Sequence, residues 1–377
     1  MRPSNTMAES STSTATEPAA DTLLGGIFAR GEAAAAVADG PFLQAMLDVE
    51  ASCARARAAL ELIPPEHAEA IAEAADAGRY DLAALGAEAA RHATPVIGLV
   101  AALRAEVGDD VAPSVHSGLT SQNVVGSAGC SSVRPRIGVK AAGWLTALDE
   151  ASFEVARVRG RVLAAQVGGA VGDRSTLGEH ATAIATAMAG DLGLSHPTLP
   201  WHGDRRRPAQ LAGALAVLAG VAAKVAKDVI LLAQGEVGEA RESADAGGAP
   251  RGGSSAMAHK ANPVSAVSAA ACAARVPALA ATMLSSMAGE HERAAGAWQA
   301  EWETLRALIA ATGSAVSWLR DLLERLEVDP ARMRSNLDAA LGDDAVATAE
   351  RLVAAETGAG ALVDRALAAH RARRDAA

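Results

Sequence analysis

A polar segment, GGSSAMAHKANP at residues 252–263, contains the residue types that a proton transfer beside a carboxylate requires. Ser254 and Ser255 follow two glycines, and Lys260 and Asn262 lie within eight positions of the first serine. A serine could act as the base, while the ammonium and amide groups stabilise the negative charge that develops on the substrate. Spacing alone allows a second interpretation, in which a glycine-rich linker simply precedes a capped helix.

The residues around this segment predict how it is held. Asn262 and Pro263 are typical of a helix start, with Asn262 as the N-cap and Pro263 in the first helical position. Because free N–H groups give a helix N-terminus partial positive charge, we expect this end to attract a carboxylate. The preceding ESADAGGAPRGG, residues 242–253, holds four glycines and a proline and predicts a mobile loop.

Long apolar repeats predict the scaffold that carries this loop. Apolar residues alternate spacings of three and four over residues 211–232 and 305–326, and more weakly over 145–162. Sustained seven-residue repeats indicate long helices packed in a left-handed bundle. A shorter repeat at 43–54, which includes Glu50, has helical spacing and predicts a helix, with a break at Pro64 and Pro65.

Composition supports an all-α fold and narrows the partners. Half of the residues are apolar but only 2% are aromatic, so the core must consist of alanine, leucine and valine. The net charge of −10 argues against nucleic acid, although a few local cations could still hold a small anion. Three widely spaced cysteines predict no metal site and a reducing, cytoplasmic setting. The sequence has no apolar run long enough to predict a signal peptide or a membrane span.

Two segments resemble the fumarase/aspartase superfamily. GSSAMAHKANP resembles that superfamily's GSSxMPxKxNP signature, with Ala258 in the place of proline. HSGLTSQNVVGSA, which begins at His116, resembles HxGxTSQDxxDTA, with Asn123 and Gly126 in the places of two aspartates. FLQAMLDVEASCARA and the residues around GEHERAAGAWQAEW resemble the bacterial cycloisomerase branch.

The resemblance implies an all-α homotetramer built on a central long-helix bundle, with active sites shared between subunits and no cofactor or metal. It implies a small anionic di- or tricarboxylate substrate. Ser254 matches the catalytic base, and His116 lies at the edge of the site. The resemblance and the surrounding residues give these candidates for substrate binding: Thr120, Ser121, Gln122, Ser255, Lys260, Asn262 and Arg293. For Arg293, helix packing and substrate contact both stay open.

The chain departs from the superfamily pattern between these two segments. Where relatives carry a histidine-containing segment and a long helix, only about nine residues precede GVKAAGW, and Cys130, Ser131 and Ser132 occupy the QHA positions. We therefore expect one bundle helix to be missing, and His180, His202 and His291 become candidates to replace the absent histidine. The predicted organisation is a disordered tail (1–20), an N-terminal helical domain (21–115), the bundle (116–326) with the catalytic loop 243–263, and an abbreviated helical C-terminus (327–377).

Three functions stay open on the sequence. The first is lactone closure by a cycloisomerase of aromatic-acid breakdown. The second is a related lyase acting on another β-substituted dicarboxylate, such as a succinyl adduct. The third is a catalytically inactive homologue that persists as an oligomeric or binding protein. The intact signature favours an enzyme, and the missing segment argues against normal activity and favours the inactive homologue.

Overall fold

A computed structural model of the chain describes residues 35–127, 137–169, 172–244, 251–253, 262–291, 293–341 and 345–375. Most of these residues are helical and the strands among them are short, which confirms the predicted all-α class. The chain divides into two compact units, residues 1–134 and 135–377. The predicted tail lies outside the described residues. The proposed domain boundary at 115/116 stays a prediction. Residues 116–127 are described here with the first unit, in which they lie.

The first unit is a small helical domain with one apolar core. Its helices are α1 (Asp39–Ala59), α2 (Pro65–Ala74), α3 (Leu82–His92), α4 (Val96–Val107) and α5 (Ser121–Ser127), with 3-10 turns at Ala77–Arg79 and Ala112–Ser114. The predicted stripe on α1 is confirmed, because every one of its members is buried: Leu43, Met46, Leu47, Glu50, Ala51 and Ala54. Val115 and Val124 join the same core, so the 115–124 segment is anchored from both sides.

The second unit contains the long helices. They are α6 (Ile137–Val162), α7 (Ala181–Asp191), α8 (Arg206–Leu232), α9 (Val264–Ala274), α10 (Val276–Ser285), α11 (Ala297–Glu324), α12 (Pro330–Leu341) and α13 (Ala345–Asp375), with a 3-10 turn at Ser175–His180. At roughly 1.5 Å per residue, the 27 residues of α8 span about 40 Å. This helix packs against α6, α9, α10 and α11, so it forms the centre of the unit.

The three predicted repeats lie on α6, α8 and α11, which confirms the bundle. Its core consists mainly of small aliphatic side chains, including Ala222, Val225 and Leu308. One detail of the prediction is wrong: the repeat extends to Leu326, but α11 ends at Glu324 and Leu326 begins a short strand. Small side chains allow close helix approach, and the long repeats supply enough of them to bury a continuous core.

The α9–α10 segment, Val264–Ser285, is long and apolar enough to cross a membrane by length and composition alone. In the structure it forms two helices that meet at Arg275, just before Pro277. Both helices pack against α8 and α11, and Ala269, Val276 and Met283 are buried in the bundle core. Burial in the bundle therefore accounts for part of its apolar character.

Two short strands pair beside the start of the predicted catalytic loop. Strand β1 (Ala240–Glu242) pairs antiparallel with β2 (Leu326–Val328), with Glu242 opposite Leu326. Since β2 follows α11 directly, this pairing brings the start of the 243–263 loop to the end of that helix. Arg241 and Glu327 form an ion pair across the two strands.

Candidate active site

The two ends of the segment that contains the signature serines are bridged. The carbonyl oxygen of Gly252 accepts hydrogen bonds from the backbone nitrogen of Asn262 at 2.8 Å and from its Nδ2 at 3.1 Å. Gly252 has a φ of 71°, and a Cβ there would lie 1.9 Å from the Asn262 carbonyl oxygen, so only glycine fits. Ser254, Ser255 and Lys260 lie between these anchors, outside the described residues, and their roles stay predictions.

The predicted helix start needs correction. Helix α9 begins at Val264, one residue later than expected, and the Asn262 side chain bonds to Gly252 instead of capping the helix. The carboxylate of Glu242 accepts from the backbone N–H groups of Ser265 at 3.1 Å and Ala266 at 3.0 Å. A substrate carboxylate cannot use these two donors, because a protein carboxylate already holds them.

Asp321, near the end of α11, bonds to residues on both sides of the signature segment 252–263. Its Oδ2 accepts from Arg251 Nη1 at 2.8 Å and from Ser265 Oγ at 2.6 Å, while Oδ1 accepts from Arg325 Nε at 2.8 Å. The bonds from Arg325 and Ser265 hold the pKa of Asp321 well below its usual range, outweighing partial burial, and Arg251 adds to them. One carboxylate thus fixes the residue before Gly252 and the first turn of α9.

A cavity of about 1100 Å³ lies beside these anchors in the second unit. Its polar lining residues include Arg241, Glu242, Arg251, Asn262, Glu327 and Asp329. Both of its arginines are engaged, Arg251 with Asp321 and Arg241 with Glu327. The cavity therefore offers mixed polarity and room for a small molecule next to the signature segment.

The first unit holds the second predicted group. Nδ1 of His116 lies 2.6 Å from Oε1 of Glu50 on α1. Further along, Thr120 is exposed and directly precedes α5, Ser121 is half-buried at its first position, and Gln122 is exposed. The fold thus places all four predicted residues of this group on one short segment, with His116 at its buried end.

Arg293 lies in a third group, in the second unit. Burial lowers the pKa of His202, and the nearby guanidinium groups of Arg293 and Arg205 lower it further. Arg205 forms a bidentate ion pair with Glu301, with an Nε–Oε1 distance of 2.9 Å, and both side chains are buried. Glu301 therefore has a packing role, through its buried ion pair with Arg205. His180 is exposed, as a surface position requires.

Sequence reasoning missed three anchoring carboxylates: Glu50, Glu242 and Asp321. Glu50 had left a signal, since it was the charged member of an otherwise apolar helical stripe. Glu242 had left none, because its partners Ser265 and Ala266 lie 23 and 24 positions away in sequence. Asp321 has one near partner, Arg325 four positions on, but the two that place it at the segment, Arg251 and Ser265, lie 70 and 56 positions away. Among the described residues, no group of three or more histidine, cysteine or acidic side chains is placed to hold a metal ion.

Known proteins show similarity over most of the chain. Residues 133–278 match the family model described as lyase. The chain is 40% identical to 3-carboxy-cis,cis-muconate cycloisomerase of Bradyrhizobium diazoefficiens, covering 82% of this chain and 77% of the relative. It is 37% identical to nitrosuccinate lyase of Streptomyces davaonensis, covering 81% and 74%. The crystal structure of 3-carboxy-cis,cis-muconate lactonizing enzyme from Pseudomonas putida matches with a TM-score of 0.51 and 32% identity, covering 93% of this chain and 89% of that one.

A long-helix bundle that carries a glycine-rich loop with paired serines, a lysine and an asparagine defines a helical lyase-type enzyme. With 40% identity to a cycloisomerase of known class over four fifths of its length, the chain belongs to the fumarase/aspartase superfamily.

The alignments also bear on the missing segment. The Bradyrhizobium and Streptomyces alignments extend over 351 and 355 residues but take in 82% and 81% of this 377-residue chain, or about 309 and 305 residues. Each relative therefore has roughly 40 to 50 residues within the aligned region that have no counterpart here. Helix α5 ends at Ser127 and α6 begins at Ile137, and the nine residues between them lie outside the described residues. That this is where the segment is missing stays a prediction.

Proposed function

We propose that the protein is a 3-carboxy-cis,cis-muconate cycloisomerase that closes a lactone in aromatic-acid breakdown. The observation that carries the proposal is the identity of 36–40% to three proteins of that name, over about four fifths of the chain. The bridged signature segment supports it, because a chain with no use for Ser254 would have no chemical reason to keep the Gly252–Asn262 anchor around it.

The proposed reaction is an isomerisation, so it needs no co-reactant. A carboxylate oxygen of the substrate forms a bond to the carbon β to a second carboxylate. The π electron pair of the alkene moves onto carbon α and its carboxylate, and a proton is then delivered to carbon α. Ser254 is the proposed proton donor, which regains its proton from water, and it acts as the base in the reverse direction.

The other predicted residues bind and orient the substrate in this proposal. Lys260 stabilises the carboxylate that takes up negative charge, and Ser255 and Asn262 lie on the same segment. Asn262 also anchors that segment through Gly252.

The segment in the first unit would hold a second carboxylate. Thr120, Ser121 and Gln122 supply neutral donors for it, and His116 is the candidate acid for this carboxylate, a role separate from the proton that Ser254 delivers to carbon α. Arg293 is the proposed cation for a third carboxylate. Superfamily resemblance adds that the sites are shared between subunits of a cytoplasmic homotetramer.

The decisive experiment follows the loss of diene absorbance from 3-carboxy-cis,cis-muconate with purified protein, with light scattering on the same sample. We expect turnover by a tetramer. Ser254→Ala should abolish turnover while substrate still binds, as measured by calorimetry, and Ser243→Ala is the matched control on the loop. A folded tetramer without turnover would refute the proposal and leave an inactive, binding homologue.

Nitrosuccinate is a second candidate substrate, favoured by the 37% identity to the Streptomyces davaonensis lyase. The same base chemistry would remove the proton beside one carboxylate and expel nitrite from the adjacent carbon. Release of nitrite from nitrosuccinate, at a higher kcat/KM than lactone closure, would favour this second function over the first.

A further inference from the structure

We propose that Glu50 is the positioning residue for His116: its carboxylate fixes the imidazole so that Nδ1 carries a proton and Nε2 faces the substrate. The inference deepens the proposed function, since it rests on His116 being part of that site. Neither the segment that begins at His116 nor the one at residues 252–263 includes Glu50, and it lies 66 positions before its partner.

The two side chains of this pair differ in burial. The Glu50 side chain is 1% exposed, whereas that of His116 is 16% exposed. In this proposal the Glu50 carboxylate is the acceptor of the 2.6 Å contact, which places the proton on Nδ1 of His116. The other ring nitrogen is then the one that can exchange a proton with a ligand, as in sites where a buried carboxylate sets the tautomer of a histidine.

The backbone on both sides of His116 is fixed by hydrogen bonds from arginine side chains. His116 has a φ of 60°, in the left-handed region that residues other than glycine rarely adopt. Arg104 Nη2 donates to the carbonyl of Val115 at 3.2 Å, and Arg57 Nη1 donates to that of Ser117 at 3.3 Å. Strain persists only where the surrounding structure imposes it, and here α1 and α4 clamp both neighbours of the histidine.

A packing role alone does not explain a carboxylate at position 50. The other members of the buried α1 stripe are apolar, and a leucine would continue it. Replacing both partners of a buried polar pair with apolar side chains is often neutral or stabilising, so the fold by itself does not require a carboxylate here. If Glu50 served only the fold, its replacement by leucine should change nothing but stability. A positioning role predicts a loss of turnover instead.

The first test needs no substrate. Full-length protein labelled with ¹⁵N-histidine is compared with Glu50→Leu by NMR, and His116→Gln assigns the resonance. We expect a protonated Nδ1 in the unmodified protein and a mixture of tautomers in Glu50→Leu. An unprotonated Nδ1 in the unmodified protein, or an unchanged tautomer in the variant, would overturn the proposal.

The second test is a double-mutant cycle on kcat with 3-carboxy-cis,cis-muconate. Glu50→Leu should lower kcat about 10- to 100-fold, part of the roughly 10²–10⁴-fold that a positioned acid or base contributes, with KM changed less than about threefold. The double variant with His116→Gln should be no slower than His116→Gln alone, because Glu50 acts through that ring. Effects that multiply would contradict the inference.

Two further variants keep the cycle interpretable. Asp48→Asn alters an exposed carboxylate on the same helix and should leave kcat unchanged. Glu50→Gln preserves shape if the leucine variant fails to fold, and it should still lower kcat, since an amide cannot stabilise an imidazolium as a carboxylate does. If the unmodified protein does not turn over this substrate, the proposed function fails, and the NMR result decides on the pair by itself.

Discussion

Asp321→Asn tests whether the signature segment depends on its anchors. The carboxylate accepts from Arg251, Ser265 and Arg325, at 2.8, 2.6 and 2.8 Å. An asparagine has one acceptor oxygen, and its NH₂ group must face a guanidinium in either orientation. At least one charge-assisted bond is lost, each worth about 1.5–3 kcal/mol when buried. Because Asp321 and Arg325 are 30% and 26% exposed, we expect a loss of about 2 kcal/mol.

The effect on turnover should be larger than the effect on folding. Arg251 lies three positions before Ser254, so the loss of its partner shifts the serine. A misplacement of about 1 Å can cost roughly 10²-fold in rate, and we expect Asp321→Asn to lower kcat about 10- to 100-fold. Turnover is followed by loss of diene absorbance and stability by urea unfolding. A kcat within about twofold of the unmodified enzyme would refute the anchoring argument.

Glu324→Gln is the matched control for this experiment. Glu324 also lies near the end of α11 and pairs with an arginine four positions away, but its side chain is 60% exposed and that of Arg320 is 79% exposed. Exposed ion pairs of this kind contribute about 0.3–0.5 kcal/mol, so both stability and kcat should stay nearly unchanged.

Three further predictions concern the second unit. Glu301→Ala should cost about 3–5 kcal/mol in urea unfolding because it leaves Arg205 buried and unpaired, while Arg205→Met/Glu301→Leu should recover most of the loss. Gly168→Ala should cost about 1–3 kcal/mol, since its Cβ would lie 2.2 Å from the ring of His202, whereas Gly160→Ala meets open space and should be neutral or stabilising. The pKa of His202 is lowered in the folded state, so its neutral form contributes stability that is present above pH 6.5 and is lost as the pH falls. The urea midpoint of unfolding should therefore decline less between pH 7.5 and 5.5 in His202→Gln than in the unmodified protein. An equal decline in the two proteins would contradict this prediction.

The helices could be predicted because they are determined locally. Every member of the α1 stripe is buried, and the repeats on α6, α8 and α11 are confirmed as long helices. Helical periodicity is a property of residues three and four apart, so a single sequence contains all the information that it needs.

The end of a repeat is harder to predict than its existence. Leu326 continued the pattern of α11 but pairs with Glu242 in the short sheet, because β1 supplies backbone partners from more than eighty positions away. The start of α9 shifted for a related reason. Asn262 had the side chain of an N-cap, yet the Gly252 carbonyl was a competing partner that the local sequence does not reveal.

The signature segment illustrates what a motif can and cannot establish. Its residue types indicate proton transfer beside a carboxylate, and the bridged anchors are consistent with that use. The motif gives no information about Glu242, which occupies the two α9 N–H groups that we had assigned to substrate. A carboxylate ligand must therefore depend on side-chain donors more than on the helix end, which makes Lys260 the more important variant to test.

Buried carboxylates on otherwise apolar helix faces are the most informative departures from pattern in this chain. Glu50 and Glu301 are both buried members of helices whose other buried positions are mostly apolar, and each pairs with a residue more than sixty positions away. A buried carboxylate without such a partner would be strongly destabilising, so its presence in an apolar stripe implies a cation or a histidine nearby. The sequence can thus predict that a partner exists, and only the fold identifies it. For Glu50 the partner is a predicted site histidine, and for Glu301 it is a structural arginine, so the identity of the partner separates positioning from packing.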